Sequence, residues 1–185
     1  MSAPPLLLAS TSPQRRAILE QLRIPFEVVP PSYEEEGEDP LEHAAGKARS
    51  VDGGARPVLG VDTAVVCAGR VHGKPAGPER AAEMLEALAG RTHEVVSGLC
   101  LRTRDWEDMG REVTLVTFRP LTARDIEAYV ASGEWEGRAG AYAIQGLGVS
   151  LVERIEGDYL NIVGLPGALL VRVLAERFPG SYGFG

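Results

Sequence analysis

The chain has 185 residues, a formal net charge of -7, 44% hydrophobic and 24% charged residues. That length supports one large or two small domains with a real core, and the acidic balance excludes a protein that coats nucleic acid through a wide basic surface. A small anionic ligand remains compatible with it, because a pocket needs only local cations.

Leu6 to Ala9 reads as a short buried strand. Ser12 is a good N-cap, Pro13 fits the first helical position, and Ile18, Leu19 and Leu22 give a one-sided apolar stripe. Phe26 to Val29 is a second strand, followed by the loop PPSYEEEGEDP and a helix from about Leu41 to Val51. PVLGVDTAVVCAGRVHGKP predicts a strand, a break near Asp62, a further strand and a turn at Ala68-Gly69-Arg70. GPERAAEMLEALAG is the clearest helix, with a proline start, apolar Ala81, Met84, Leu85 and Leu88, and a glycine stop at Gly90. HEVVSGLCLRT and EVTLVTF read as paired strands joined by the polar loop RDWEDMGR. A helix from Leu121 to Ser132 capped by Thr122, a glycine-punctuated functional loop WEGRAGAYAIQGLG, strand-like SLVERI and LNIVG, and a closing helix from Pro166 to Phe178 complete the pass. The residues after Phe178 are expected to fray. The class is therefore α/β, a mixed sheet flanked by helices.

No apolar run approaches the roughly 20 residues of a membrane span, and the N-terminus lacks a basic segment before a long apolar stretch. A cytoplasmic address without membrane or nucleic-acid partners is expected. Cys67 and Cys100 lie in apolar strand-like runs and read as buried, reduced thiols. No Cys/His spacing suggests zinc. His43, His72 and His93 are scattered and read as surface or strand-end residues rather than ligands.

Two stretches carry chemistry. In ASTSPQRRAIL, Arg15 falls on the apolar face of the first helix beside Ile18, Leu19 and Leu22, where a cation is costly unless an anion meets it. Arg16 lies about a quarter-turn away and faces solvent as readily as ligand. Ser10, Thr11 and Ser12 with the free N–H groups of the helix end form either an anion site or a simple cap. In LGVDTAVV, Asp62 separates two apolar runs, either as a satisfied structural carboxylate or as a metal ligand or base. Lys47 in a helix, Lys74 in the turn GKP, the acidic run Glu34-Glu35-Glu36 and Gln145 in GAYAIQG are each weak signals taken alone.

Taken in order, ASTSPQRRAIL, EEE, KAR, GVDTAVV, GKP, the helix with ML and LAG, THEVVSG, GAYAIQG and GDYLNIVGLP resemble the Maf proteins. These are nucleoside triphosphate pyrophosphatases once named for an effect on septum formation. The resemblance runs from Leu6 to about Phe178 and implies a single Maf-like domain over residues 1–185, with its core at about 6–178. It implies a fold like that of inosine triphosphate pyrophosphatases, with an elongated mixed sheet and two lobes around a cleft. It also implies cleavage of a nucleotide between its α- and β-phosphates with a divalent metal, Mg²⁺ or Mn²⁺, in a homodimer. Asp62 matches the proposed catalytic acceptor, and Glu35 with Asp62 would hold the metal. Ser10, Arg15, Lys47 and Lys74 match phosphate-binding positions, and the family's other cation there is either lost or supplied by Arg16 from a different angle. Thr63 and Gln145 match positions tied to base choice, and DT with AYAIQG looks like the branch acting on dTTP and UTP.

Gln14 is the one departure: it stands where the family's run has its first arginine, so Arg15 aligns with the second. It therefore bears on substrate choice. Two alternatives stand beside this reading. One is a nucleotide-binding regulator of cell division without turnover, and the other is a pyrophosphatase for methylated guanine nucleotides.

Overall fold

A computed structural model describes residues 4–184. The chain runs through β1 (Leu6–Leu8), α1 (Pro13–Gln21), β2 (Phe26–Val28), α2 (Pro40–Arg49), β3 (Val58–Cys67) and β4 (Arg70–His72). It continues through α3 (Pro78–Leu88), β5 (Thr92–Arg102), β6 (Glu107–Phe118), α4 (Ala123–Ala131), β7 (Val152–Glu156), α5 (Tyr159–Val163) and α6 (Gly167–Arg177). Two 3-10 turns, at Ala139–Ala141 and Leu147–Leu151, lie between α4 and β7. The strands form one seven-stranded sheet in the order β2-β1-β3-β5-β6-β7, with β4 on β3. β1 pairs parallel with β2 and β3, while β4 and β7 pair antiparallel with β3 and β6. This is the expected α/β class with a mixed sheet.

The chain divides into two compact units. Among the described residues, one comprises 4–62, 97–112 and 164–184, and the other 63–96 and 113–163. In the first, Leu7 and Val58 from the sheet pack with Ala44, Ala45 and Ala48 of α2 and with Cys100. Alanines on that helix face bring its backbone close to the sheet, and Gly60 completes the fit. A Cβ at Gly60 would stand 2.1 Å from the Ala44 carbonyl oxygen and 2.8 Å from the Ala48 nitrogen. In the second unit, Ala81, Met84, Leu85 and Leu88, the predicted apolar face of α3, pack with Phe118, Tyr129 and Tyr142. Both cysteines are buried and free, as expected.

The structure corrects the sequence reading at five points. β3 runs unbroken through Asp62, because an extended residue needs no turn there when its carboxylate finds partners. β6 starts at Glu107, inside the segment expected to be loop. There Glu107 pairs with Arg49 and Asp108 with Arg177, so polar side chains on a sheet are satisfied by neighbouring arginines. LNIVG is the short helix α5 rather than a strand, its Asn161 fully buried and donating to the Val95 carbonyl and the Thr114 hydroxyl. The described part of the tail is held rather than frayed: Tyr182 is buried, packs edge-on against Phe178 and donates its hydroxyl to the Pro4 carbonyl at 2.6 Å, while Gly185 lies outside the described residues. Finally, none of the three histidines is a surface residue: all are buried, His43 inside α2, while His72 and His93 lie at strand ends as expected.

Candidate active site

Asp62 is the centre of the first unit's polar cluster. Its Oδ1 accepts from Lys47 Nζ at 2.6 Å, and its Oδ2 lies 3.3 Å from His43 Nδ1. His43 and Lys47 are four residues apart on α2, so both project from one helix face and each engages one oxygen of the same carboxylate. The close approach that Gly60 allows, two residues before Asp62 on the strand, makes that reach short. The same ammonium lies 2.6 Å from Glu35 Oε1, which binds the acidic loop to the cluster. His43 also meets the Glu36 carbonyl through Nε2 at 3.1 Å, so that loop is tied down twice.

These residues supply an answer about a metal. One ligand atom each from Glu35, His43 and Asp62 lie within 4.8 Å of one another. Two carboxylates converging on one cation form a hard-oxygen donor set of the kind that suits Mg²⁺ or Mn²⁺. The donor set therefore fits a divalent ion, with Lys47 now neutralising the charge that the ion would otherwise neutralise.

At the start of α1, Ser12 caps the helix, its hydroxyl accepting from Arg15 N at 3.5 Å and donating to Gln14 Oε1 at 3.1 Å. The side-chain oxygen of Gln14 is therefore engaged locally. Arg15 turns back beneath the helix end, donating from Nε to the Gly164 carbonyl at 2.9 Å and from Nη1 to buried Ser10 Oγ at 3.0 Å. Burial lowers the Arg15 pKa from the ordinary guanidinium value, and the charges of Asp62 and Glu35 raise it. Arg15 thus belongs electrostatically to the carboxylate cluster. Arg16 is exposed and has no ion-pair or hydrogen-bonded side-chain partner among the described residues. The cation pair at the helix start splits into one that holds structure and one that is free.

Thr63, Lys74 and Gln145 belong to the second unit. Thr63 is half-buried on β3 directly after Asp62, while Lys74 and Gln145 are exposed. Neither Lys74 nor Gln145 has a side-chain hydrogen bond or ion pair among the described residues. Gln145 sits in a loop that is otherwise pinned. Ile144 is buried, Ala143 N donates to Tyr129 Oη at 3.0 Å, and Leu147 N and Gly148 N donate to the two carboxylate oxygens of Glu134 at 3.0 and 3.2 Å.

Of the expected residues, the structure joins Asp62, Lys47 and Glu35 directly, and Ser10 with Arg15. Sequence reasoning missed His43 and Glu134. The helical spacing of His43 to Lys47 was a usable signal for the first; nothing local marks Glu134.

The Maf-like protein family model matches residues 5–177. The chain is 48% identical to a dTTP/UTP pyrophosphatase of Moorella thermoacetica, with 92% of this chain and 93% of that protein covered. It is 46% identical to one of Gloeobacter violaceus over 92% and 95%, and 42% identical to one of Deinococcus radiodurans over 100% and 97%.

Proposed function

Since the chain belongs to the family of Maf-like proteins over almost its whole length, we propose that it is a dTTP/UTP pyrophosphatase. It hydrolyses the bond between the α- and β-phosphates to give a nucleoside monophosphate and pyrophosphate. The observation that carries this reading is the carboxylate of Asp62 held between Lys47 and His43, with Glu35 on the same ammonium.

Asp62, its two oxygens engaged from α2, either accepts the proton of the attacking water or joins Glu35 in holding a divalent ion; a metal-bound carboxylate is a poor base, so it does not do both at once. That ion, when bound, would polarise phosphate oxygens and lower the pKa of water. Arg16 and Lys74, whose charges are unspent, bind phosphate oxygens, and Lys47 and Arg15 balance charge on the leaving pyrophosphate. Ser10 supports this by fixing the Arg15 guanidinium. Thr63 and Gln145 read the base. An amide offers a donor and an acceptor, which matches the N3–H and carbonyl edge shared by uracil and thymine. Gln14, bonded to Ser12, contributes no charge to the phosphate site.

The test is product analysis by ³¹P NMR with UTP and Mg²⁺ or Mn²⁺. UMP and pyrophosphate are expected, and chelation of the metal stops turnover. Orthophosphate with UDP overturns the assignment, because it places the cleavage at the γ-phosphate. The reading includes a homodimer, the commonest closed arrangement of soluble chains. A monomer mass by light scattering over a wide concentration range overturns that part. No described helix is long and apolar enough to cross a membrane, in keeping with a cytoplasmic nucleotide enzyme.

A further inference from the structure

We infer that Glu134 is a positioning residue for substrate choice: its carboxylate fixes the backbone on the far side of Gln145 and so sets the direction of the base-reading amide. The inference rests on the proposal that Gln145 reads the base.

Glu134 lies just beyond α4, three residues after Ala131. Among the described residues its side chain pairs with no cation; it accepts from two successive amides, Leu147 N through Oε1 and Gly148 N through Oε2. Charge-assisted bonds of a carboxylate to backbone N–H groups are among the stronger ones available. Gly146 lets it approach. That residue has φ +91°, and a Cβ there would stand 2.7 Å from Glu134 Oε1. On the other side of Gln145, the Tyr129 hydroxyl of α4 accepts from Ala143 N, and Ile144 is anchored in the core. The loop closes on itself so tightly that a Cβ at Gly148 would stand 2.0 Å from the Ala143 carbonyl oxygen. Glu134 is itself held, its N–H donating to Ser132 Oγ, whose hydroxyl donates to the Tyr129 carbonyl.

One helix end therefore grips the loop both before and after Gln145, and the amide of Gln145 is the polar group left over. An acceptor and donor placed for a pyrimidine edge discriminates only while it is kept from turning. Hydrogen bonds to the loop backbone do that work without touching the nucleotide, which is why Glu134 is a positioning residue.

The experiment compares Glu134→Ala, Glu134→Gln, Gln145→Ala and the Glu134→Ala/Gln145→Ala pair. Amide exchange at Leu147 and Gly148 is followed by NMR, and kcat/KM is measured for UTP and CTP. In Glu134→Ala, exchange at both amides should quicken at least about tenfold. The UTP preference should fall most of the way to that of Gln145→Ala, mainly through KM. Glu134→Gln, retaining one oxygen acceptor, should lie between, and the double variant should lose no more preference than Gln145→Ala alone. An unchanged preference in both Glu134 variants overturns the proposal while leaving the Gln145 reading intact. So does a loss of rate shared equally by both substrates, or a fully additive double variant. If Gln145→Ala itself keeps the UTP preference, the base reading is wrong and the proposal falls with it.

Discussion

Asp62 illustrates how much one side chain depends on its neighbours. Its two oxygens are engaged by residues one helical turn apart, and the ammonium that holds Oδ1 also holds Glu35. Asp62→Asn keeps shape and hydrogen-bonding capacity but removes the charge, and Lys47 retains Glu35 as a partner, so the fold survives. Turnover should then fall by at least about 10²-fold, the usual worth of a placed general base, with an unchanged circular dichroism spectrum. A variant keeping more than about a tenth of wild-type kcat contradicts the assignment. Asp62 was legible in the sequence, because a carboxylate between two apolar runs needs a reason. Lys47 and Glu35 gained meaning only from the family resemblance, since a helical lysine and an acidic loop are ordinary when met singly. His43 was not legible. Its role requires both the helical phase that aligns it with Lys47 and the knowledge that α2 packs on β3.

The element that makes the cluster possible is the contact of α2 with β3, and it is written in small residues. Ala44, Ala45 and Ala48 face the sheet, and Gly60 is in contact with their backbone. Gly60→Ala adds one methyl group at a distance no real Cβ occupies, so the helix must move off the strand. Overpacking of this kind costs about 1–3 kcal/mol, and a displaced α2 carries both Lys47 and His43 away from Asp62. The variant should therefore lose kcat out of proportion to its lower melting temperature, measured where it is still fully folded. Unchanged kcat in the folded variant would show that the clamp tolerates the shift. Elements with strong local signals, such as α3 with its proline start and apolar face, were readable from sequence. The continuity of β3 through Asp62 was not, because a charged residue inside a strand looks like an interruption until its partners on another element are known. LNIVG misled for the complementary reason: its apolar residues fit a strand, and the burial of Asn161 against β5 and β6 decides for a helix turn.

Across the whole molecule, acid sensitivity is unevenly distributed between the two units. In the second unit His93 is 1% exposed, faces the Tyr142 hydroxyl at 2.9 Å, and stacks edge-on against Phe118. Burial, with a smaller contribution from His72, lowers its pKa from the ordinary 6.5 to about 4. His72 is lowered as well, by burial and by Arg70 and Arg80. A depressed histidine binds its proton more readily in the unfolded chain. Stability from the neutral ring is therefore present above about pH 6.5 and is lost as pH falls toward 4, by about 2 kcal/mol at pH 5 for His93 alone. The first unit's shifted acids behave differently. Arg49 lowers the pKa of Glu107 and Arg177 that of Asp108, each chiefly through a side-chain hydrogen bond. Their contribution stays in place above ordinary carboxylate pKa values and is lost only at lower pH. Trp135 belongs to the second unit and Trp106 to the first, so a Trp106→Phe background leaves a fluorescence reporter in the unit that carries His93. In that background the urea midpoint seen by Trp135 should fall between pH 7 and pH 5. Adding His93→Gln, which cannot take up a proton but can still bond Tyr142, should flatten the dependence. A midpoint that holds steady or rises on acidification would mean that the buried ring does not govern stability in this window.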